Sequence, residues 1–178
     1  MILLISICKN KLHELEFVKP VEKILNSLKI ENKIIHYKDL TKEDIISSKK
    51  IVICGTSLKD NEYLTNLNKF EFIKGLNKPL LGICGGMQII GIVFGAKLEE
   101  LDEIGKIGID FKKEFVEFNG EHNIYVLHNN SITLPENFEI YASSKCIQAI
   151  KHKEKKIYAI LFHPEVLNKK LIINFSLV

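Results

Sequence analysis

Two short motifs in this chain carry residue types that can do covalent chemistry. The first is Pro79-Leu-Leu-Gly-Ile-Cys-Gly-Gly-Met-Gln-Ile-Ile-Gly91, with Cys84 at its centre. Gly82-x-Cys84-x-Gly86 is the cysteine form of the nucleophile-elbow pattern. A nucleophile between a strand and a helix sits in a tight, strained turn, and small neighbours at 82 and 86 let that turn pack. Gly85 is expected to let a substrate come close to its backbone N–H. The N-terminus of a following helix favours a thiolate. The Gly85 N–H can then donate to an oxyanion formed on attack. Gln88 lies four residues past Cys84, one helical turn along on the same side, and is a candidate substrate contact. Taken alone, the motif also fits a buried cysteine in a glycine-rich turn.

The second motif is Ile157-Tyr-Ala-Ile-Leu-Phe-His-Pro-Glu165, a strand running into a proline-stopped turn. His163 then stands at a strand end, where a side chain can enter a cleft. A carboxylate close to an imidazole selects its tautomer and stabilises the imidazolium, a role that fits Glu165. Cysteine, base and orienting group are all present. An exposed turn would explain His-Pro-Glu by itself, but not its pairing with a cysteine elbow.

The elements that must position these residues follow from apolar periodicity. Ile2–Cys8, Lys33–Tyr37, Ile51–Cys54 and Leu80–Cys84 read as strands. Leu12–Leu28, Thr41–Ser47, Glu62–Lys74 and Gly85–Phe94 read as helices, with Thr41 as a cap and Asp44 three residues on. Alternating strands and helices imply a parallel sheet with right-handed crossovers and a site at the carboxyl ends of the strands. Gly55 and Cys84 fall at two such ends. Ile107–Phe111, Phe115–Phe118, Ile124–Leu127, Glu139–Ala142, Cys146–Lys151 and Ile157–Phe162 read as shorter strands of an antiparallel extension. Leu167–Phe175 reads as a closing helix. The fold class is therefore α/β, with a mostly parallel sheet between helices. A chain of 178 residues without repeats or linkers fits one domain, 1–178.

Composition narrows the function classes. Hydrophobic residues make up 46%, too many for a disordered chain. The net charge of +3 comes without a basic stripe, so no nucleic-acid partner is expected. Every basic side chain of the Lys and Arg class is Lys, so an anion must be held by backbone N–H groups, Lys or neutral polar groups. The opening run Met1–Cys8 is too short to span a membrane and lacks a basic leader or cleavage site, so a cytoplasmic protein without a membrane partner is expected. Cys8, Cys54, Cys84 and Cys146 show no paired spacing and no Cys-x-x-Cys, so neither a disulfide framework nor a zinc site is expected. No cofactor is expected either.

Together the two motifs resemble class I glutamine amidotransferases, which carry Gly-x-Cys-x-Gly-x-Gln after a strand and a late Phe-His-Pro-Glu. Here they read Gly82-Ile-Cys-Gly-Gly-Met-Gln88 and Phe162-His-Pro-Glu165. The resemblance covers nearly the whole chain. It implies a flavodoxin-like three-layer fold, a Cys84–His163–Glu165 triad, a thioester intermediate, and glutamate plus ammonia as products of L-glutamine. A Gly-Gly-Pro-like turn after the third strand completes the family's oxyanion hole. This chain has Gly55-Thr-Ser57 there, which leaves Gly55 or Thr56 as the donor alongside Gly85.

The segment from His128-Asn-Asn-Ser-Ile-Thr-Leu-Pro-Glu136 through Ala142-Ser-Ser144 is most similar to the amidotransferase part of GMP synthetase. His128 matches a histidine of that family, while Leu127, Asn130 and Leu161 replace its Ser, Asp and Gln. The first strand also lacks its Asp-x-Gly-x-Gln signature. The resemblance makes Gln88, His128 and the backbone near Ser131 and Ile132 candidates for holding glutamine. The chain has neither a Gly-x-x-x-x-Gly-Lys-Ser/Thr loop nor a Ser-Gly-Gly-x-Asp pyrophosphatase loop. The ammonia acceptor is thus expected on a separate chain, with the ATP-pyrophosphatase subunit of GMP synthetase as candidate. Two other classes share such an elbow: a stand-alone cysteine hydrolase, such as a peptidase or γ-glutamyl hydrolase, and a non-catalytic binding module.

Overall fold

Short apolar runs and the helices between them set the order of elements. In the computed structural model, which describes residues 1–178, the first half runs β1 (Ile2–Ser6), α1 (Glu14–Phe17), α2 (Lys19–Ser27), β2 (Asn32–His36), α3 (Lys42–Ser47), β3 (Lys50–Ile53), β4 (Leu80–Ile83) and α4 (Gly85–Val93). The second half runs β5 (Leu98–Phe115), β6 (Phe118–Ile132), β7 (Phe138–Ser143), β8 (Ile147–His152), β9 (Ile157–Ile160) and α5 (Lys169–Leu177).

Seven strands form one sheet in the order β2-β1-β3-β4-β9-β8-β7. β2, β1, β3, β4 and β9 are mutually parallel, whereas β8 and β7 add antiparallel at one edge. Helices cover both faces, so the central strands are buried on both sides and read as unbroken apolar runs. Alternate β1 residues feed two cores. Leu4 packs with Phe17, Val21, Leu25, Leu171 and Phe175 of α1, α2 and α5. Leu3 and Ile5 pack with Tyr37, Phe70, Met87, Ile90 and Val93 on the other face. No helix is long and apolar enough to cross a membrane.

Sequence reading and structure differ at four places. The expected helix Leu12–Leu28 is broken into a 3-10 turn at Lys11–His13, then α1 and α2. Pro20 lies in the first turn of α2, where its missing N–H does no harm; in the middle of one long helix it would break the ladder. Glu62–Gly75 winds as a 3-10 segment kinked at Asn66 rather than as an α-helix. Its buried Phe70 and Ile73 lie three residues apart, the period of 3-10 winding. The separate short strands expected between 107 and 127 are parts of one long hairpin, β5–β6, which forms its own two-stranded sheet. Phe115–Phe118 is the turn of that hairpin, with Val116 and Glu117 both in the left-handed region at φ 50° and 62°. Finally, Ile157–Phe162, expected in the antiparallel extension, supplies β9, which pairs parallel with β4 inside the main sheet, while β7 and β8 add the expected antiparallel strands at its edge.

The capping expectation holds. Thr41 Oγ1 accepts from the Asp44 N–H at 3.2 Å, and Asp44 Oδ2 accepts from the Thr41 N–H at 3.1 Å, closing a capping box on α3.

The β4–α4 turn depends on missing side chains. A Cβ at Gly86 would lie 2.3 Å from the Ile53 carbonyl oxygen, and one at Gly82 would lie 2.6 Å from the Gly86 carbonyl oxygen. Both obstacles are backbone and have no easy way to yield. Gly86→Ala is therefore expected to lower stability by about 1–3 kcal/mol through overpacking. Gly108→Ala, with nothing within 4 Å of its Cβ, is the matched control. Urea denaturation of the two variants checks this; equal midpoints would contradict it.

Candidate active site

Three neighbouring parallel strands bring the candidate residues together. β4 lies between β3 and β9, with Ile53 opposite Gly82 and Ile83 opposite Ile160. Their carboxyl ends therefore deliver Gly55, Cys84 and His163 to one place. Cys84 adopts φ 50° and ψ −107°, a conformation side chains rarely take and one that stores strain. Its N–H donates to the Ile160 carbonyl at 2.8 Å, and its own carbonyl accepts from Met87 and Gln88 at 2.9 and 3.2 Å. Gly85 and Gly86 precede those first helical bonds, so their N–H groups are free donors at the start of α4.

His163 and Glu165 form a tight, buried charged contact in the site. His163 Nδ1 is 2.7 Å from Glu165 Oε1, and both side chains are 1% exposed. Phe17 packs against the imidazole with ring centroids 5.4 Å apart. The other ring nitrogen, Nε2, is buried and makes no hydrogen bond. Burial disfavours the imidazolium, but the Cys84 sulfur and the Glu165 carboxylate outweigh it and hold the His163 pKa well above its ordinary value. With Nδ1 tied to the carboxylate, Nε2 is the nitrogen available to move protons.

The β5–β6 hairpin forms the opposite wall. The Cys84 thiol donates to the Leu127 carbonyl at 3.6 Å, and the His163 N–H donates to the Tyr125 carbonyl at 2.8 Å. Thr56, Leu58, Tyr63, Gly85, Leu127 and Asn129 surround the narrow cleft at Cys84. His128 also lines it, but its ring turns toward Glu103 and Gln148, away from the sulfur.

The remaining expectations fare differently. Gly55 is fixed by its neighbours, since a Cβ there would meet His163 Cε1 at 2.9 Å. Gly85 lines the cleft, and a Cβ there would lie 2.7 Å from Ile7 Cδ1 and 3.3 Å from the Tyr63 ring. Gln88 borders the cleft with its amide already engaged: Oε1 accepts from the Tyr63 hydroxyl, and Nε2 donates to the Asn130 carbonyl at 3.1 Å. Burial keeps the Tyr63 phenol protonated, and so a donor. Ser131 and Ile132 are not among the residues that line the cleft at Cys84. They pair with Glu99 and Leu98 in the hairpin ladder, and Ile132 packs beside Gly91.

Asp60 was not visible as a site residue in the sequence. Buried at the end of the Gly55 turn, it accepts from Thr56 Oγ1 at 2.9 Å and from the Lys9 N–H at 3.0 Å, and lies 2.7 Å from His13 Nδ1. Burial opposes its charge, but the bonds to His13, Thr56 and Lys9 prevail and hold its pKa below the usual carboxylate value. Asn129 Nδ2 adds a bond to the Leu58 carbonyl at 3.2 Å, tying the same loop to β6. Asp60 acts through Lys9 and His13, about fifty positions away in the chain, so no local motif marks it.

Comparison with known proteins agrees with this geometry. The family model for class I glutamine amidotransferases matches residues 13–172. A glutamine-hydrolysing GMP synthase subunit of Methanosphaera stadtmanae is 38% identical over 154 residues, covering 82% of this chain and 81% of that protein. The glutamine-hydrolysing GMP synthase of Brachyspira hyodysenteriae is 41% identical over 112 residues, covering 56% of this chain but 22% of that longer protein. A crystal structure of a Thermoplasma acidophilum protein assigned to the same GMP synthase subunit superposes with a TM-score of 0.84 at 27% identity, covering 98% of this chain and 90% of that one. The chain belongs to the class I glutamine amidotransferase family. It is a glutaminase-type enzyme on the α/β scaffold of that family.

The raised His163 value has a consequence for pH. An elevated folded-state pKa stabilises the fold at pH below the ordinary imidazole value, and that contribution fades as pH rises through the elevated one. NMR titration of the His163 ring should find it protonated well above pH 6.5, the ordinary imidazole value. In Cys84→Ala its pKa should fall, because the sulfur is the largest favourable influence. An unchanged titration in that variant would contradict the coupling.

Proposed function

We propose that this chain is one domain acting as the glutamine-hydrolysing subunit of a two-chain GMP synthase. In this reading the Cys84 sulfur attacks the side-chain amide carbon of L-glutamine. The N–H groups of Gly85 and of Gly55 or Thr56 stabilise the oxyanion. His163 Nε2 gives a proton to the departing nitrogen, ammonia leaves, and a glutamyl thioester remains on Cys84. His163 then takes a proton from water, whose oxygen attacks the thioester. Collapse releases glutamate and restores the cysteine. Glu165 holds the imidazole through its 2.7 Å bond to Nδ1. Asp60 and Asn129 hold the Gly55–Thr56 loop against the site.

The observation that carries this reading is the meeting of Cys84 with the His163–Glu165 pair at the ends of adjacent parallel strands. The acceptor follows from the relatives. Those that match along most of this chain are named as one subunit of GMP synthase, and a longer GMP synthase exceeds this chain severalfold. We therefore infer a separate ATP-pyrophosphatase subunit that uses the ammonia to convert XMP to GMP. The reading places both chains in the cytoplasm. It asks for no metal or organic cofactor in glutamine hydrolysis itself.

Reconstitution tests it. The chain is combined with an ATP-pyrophosphatase subunit, Mg²⁺, ATP, XMP and glutamine, and GMP is measured. Glutamine-dependent GMP formation is expected, and Cys84→Ala should reduce it by at least about a thousandfold while added ammonium still supports it. Glutamate release without GMP would keep the glutaminase and overturn the acceptor.

A further inference from the structure

A second group of ligand-type side chains lies behind the wall of the cleft. His128 Nε2 faces Glu103 Oε2 at 3.6 Å, and the Cys146 sulfur completes a set whose donor atoms all lie within 4.8 Å of one another. Gln148, fully buried, places its side-chain nitrogen among them: 3.0 Å from Glu103 Oε2, 3.0 Å from Ser144 Oγ, 3.4 Å from His128 Nε2 and 3.5 Å from Cys146 Sγ. An NH₂ group has two hydrogens for these four neighbours. Its own Oε1 is buried and makes no hydrogen bond.

The histidine is arranged as a metal ligand. His128 Nδ1 lies 3.2 Å from the Leu101 carbonyl and can only donate there, which leaves a lone pair on Nε2 pointing at the cluster. Metal-bound histidines are oriented in this way, by a backbone carbonyl on the other nitrogen. Burial pushes the His128 pKa down, against the opposing effects of the Leu101 bond and Glu103. Glu103 Oε2 is supported by the Ser144 hydroxyl at 2.8 Å.

We propose that Glu103, His128, Cys146 and the Gln148 amide oxygen form a four-coordinate site for a thiophilic divalent cation of the Zn²⁺ class. Turning the Gln148 amide over puts its unpartnered oxygen where the nitrogen stands. That oxygen would repel the Glu103 carboxylate unless a cation lay between them. Its separations of 3.0, 3.4 and 3.5 Å from the other donors compare with the edges, about 3.3–3.8 Å, of a tetrahedron with Zn–ligand bonds of ~2.0–2.3 Å. A Cys–His–carboxylate set suits Zn²⁺ or Co²⁺ rather than Mg²⁺ or Ca²⁺. Burial and the Glu103 carboxylate raise the Cys146 thiol to about 11, so the ion would displace its proton on binding. Cys146 is partly exposed and gives the ion a way in.

The ligands come from both sheets. Glu103 and His128 belong to the hairpin, Gln148 to β8, and Cys146 to the turn before it. A bound ion would staple the hairpin wall of the cleft to the main sheet. No local motif announces this, because the residues are spread over more than forty positions and reach one another only through the fold. The expectation of no zinc site rested on the missing Cys-x-x-Cys spacing, a test blind to such a set.

Co²⁺ titration of the purified Cys84→Ala chain under a non-chelating reductant tests the site, since that background removes the nucleophilic thiol. One equivalent should produce the visible ligand-field bands of tetrahedral Co²⁺ and a near-ultraviolet thiolate charge-transfer band. Cys146→Ser should abolish the charge-transfer band, and Glu103→Gln should weaken binding by at least about tenfold. Zn²⁺ should raise the thermal midpoint of the parent chain more than that of either variant, and metal-free melts show whether the variants are folded. Absence of the bands from the parent, or bands unchanged by both substitutions, would overturn the proposal.

Discussion

Cys84 is held in a backbone conformation that a side chain resists, and much of the surrounding fold keeps it there. A non-glycine residue at φ 50° and ψ −107° costs about 1–3 kcal/mol relative to a relaxed one. What compensates is close contact between three consecutive parts of the sheet. Gly82 lets the Gly86 carbonyl press against β4, and Gly86 lets the Ile53 carbonyl of β3 press against α4. The Cys84 N–H is anchored on β9 through Ile160. The elbow therefore requires β3, β4 and β9 to be neighbours in that order. The same order carries His163 to the sulfur from one side and Gly55 from the other.

The long hairpin gives the second constraint. Backbone carbonyls of β6 receive the Cys84 thiol, the His163 N–H and the Gln88 side chain, at Leu127, Tyr125 and Asn130. Three parts of the site are thus registered against one strand. Gln88 joins this frame through Asn130 and Tyr63, so it contributes by aligning its surroundings. Loop 55–60 is held by the bonds of Asp60 to Lys9, His13 and Thr56 and tied to the same hairpin by the bond of Asn129 to Leu58. A partner that moved either the hairpin or the segment around His13 would have a mechanical route to the backbone N–H groups beside the cysteine.

Much of this was legible in the sequence, for identifiable reasons. Central parallel strands are buried on both faces, so Ile2–Ser6 and Leu80–Ile83 stood out as continuous apolar runs. The triad stood out because a cysteine elbow and His-Pro-Glu are local motifs that imply strand ends. Other features were hidden because they are non-local or lack their usual markers. Val116 and Glu117 turn the hairpin in left-handed conformations without the glycine or asparagine that normally signals one. Asp60 and Tyr63 matter through partners distant in the chain, Lys9 and Gln88. Ser131 and Ile132 were assigned to substrate by resemblance; their places opposite Glu99 and Leu98 in the ladder to β5 follow from the hairpin register, which no local motif shows.

In the proposed reaction Cys84 is the nucleophile, and glutamine chemistry reaches it alone among the four cysteines. The most direct measurement is intact-mass and peptide mass spectrometry after incubation with an electrophilic glutamine analogue that alkylates glutaminase cysteines. A single adduct on Cys84 is expected, slowed by excess glutamine and by His163→Ala. An adduct on Cys8, Cys54 or Cys146 with Cys84 unmodified, in the presence or absence of the synthetase subunit, would contradict it.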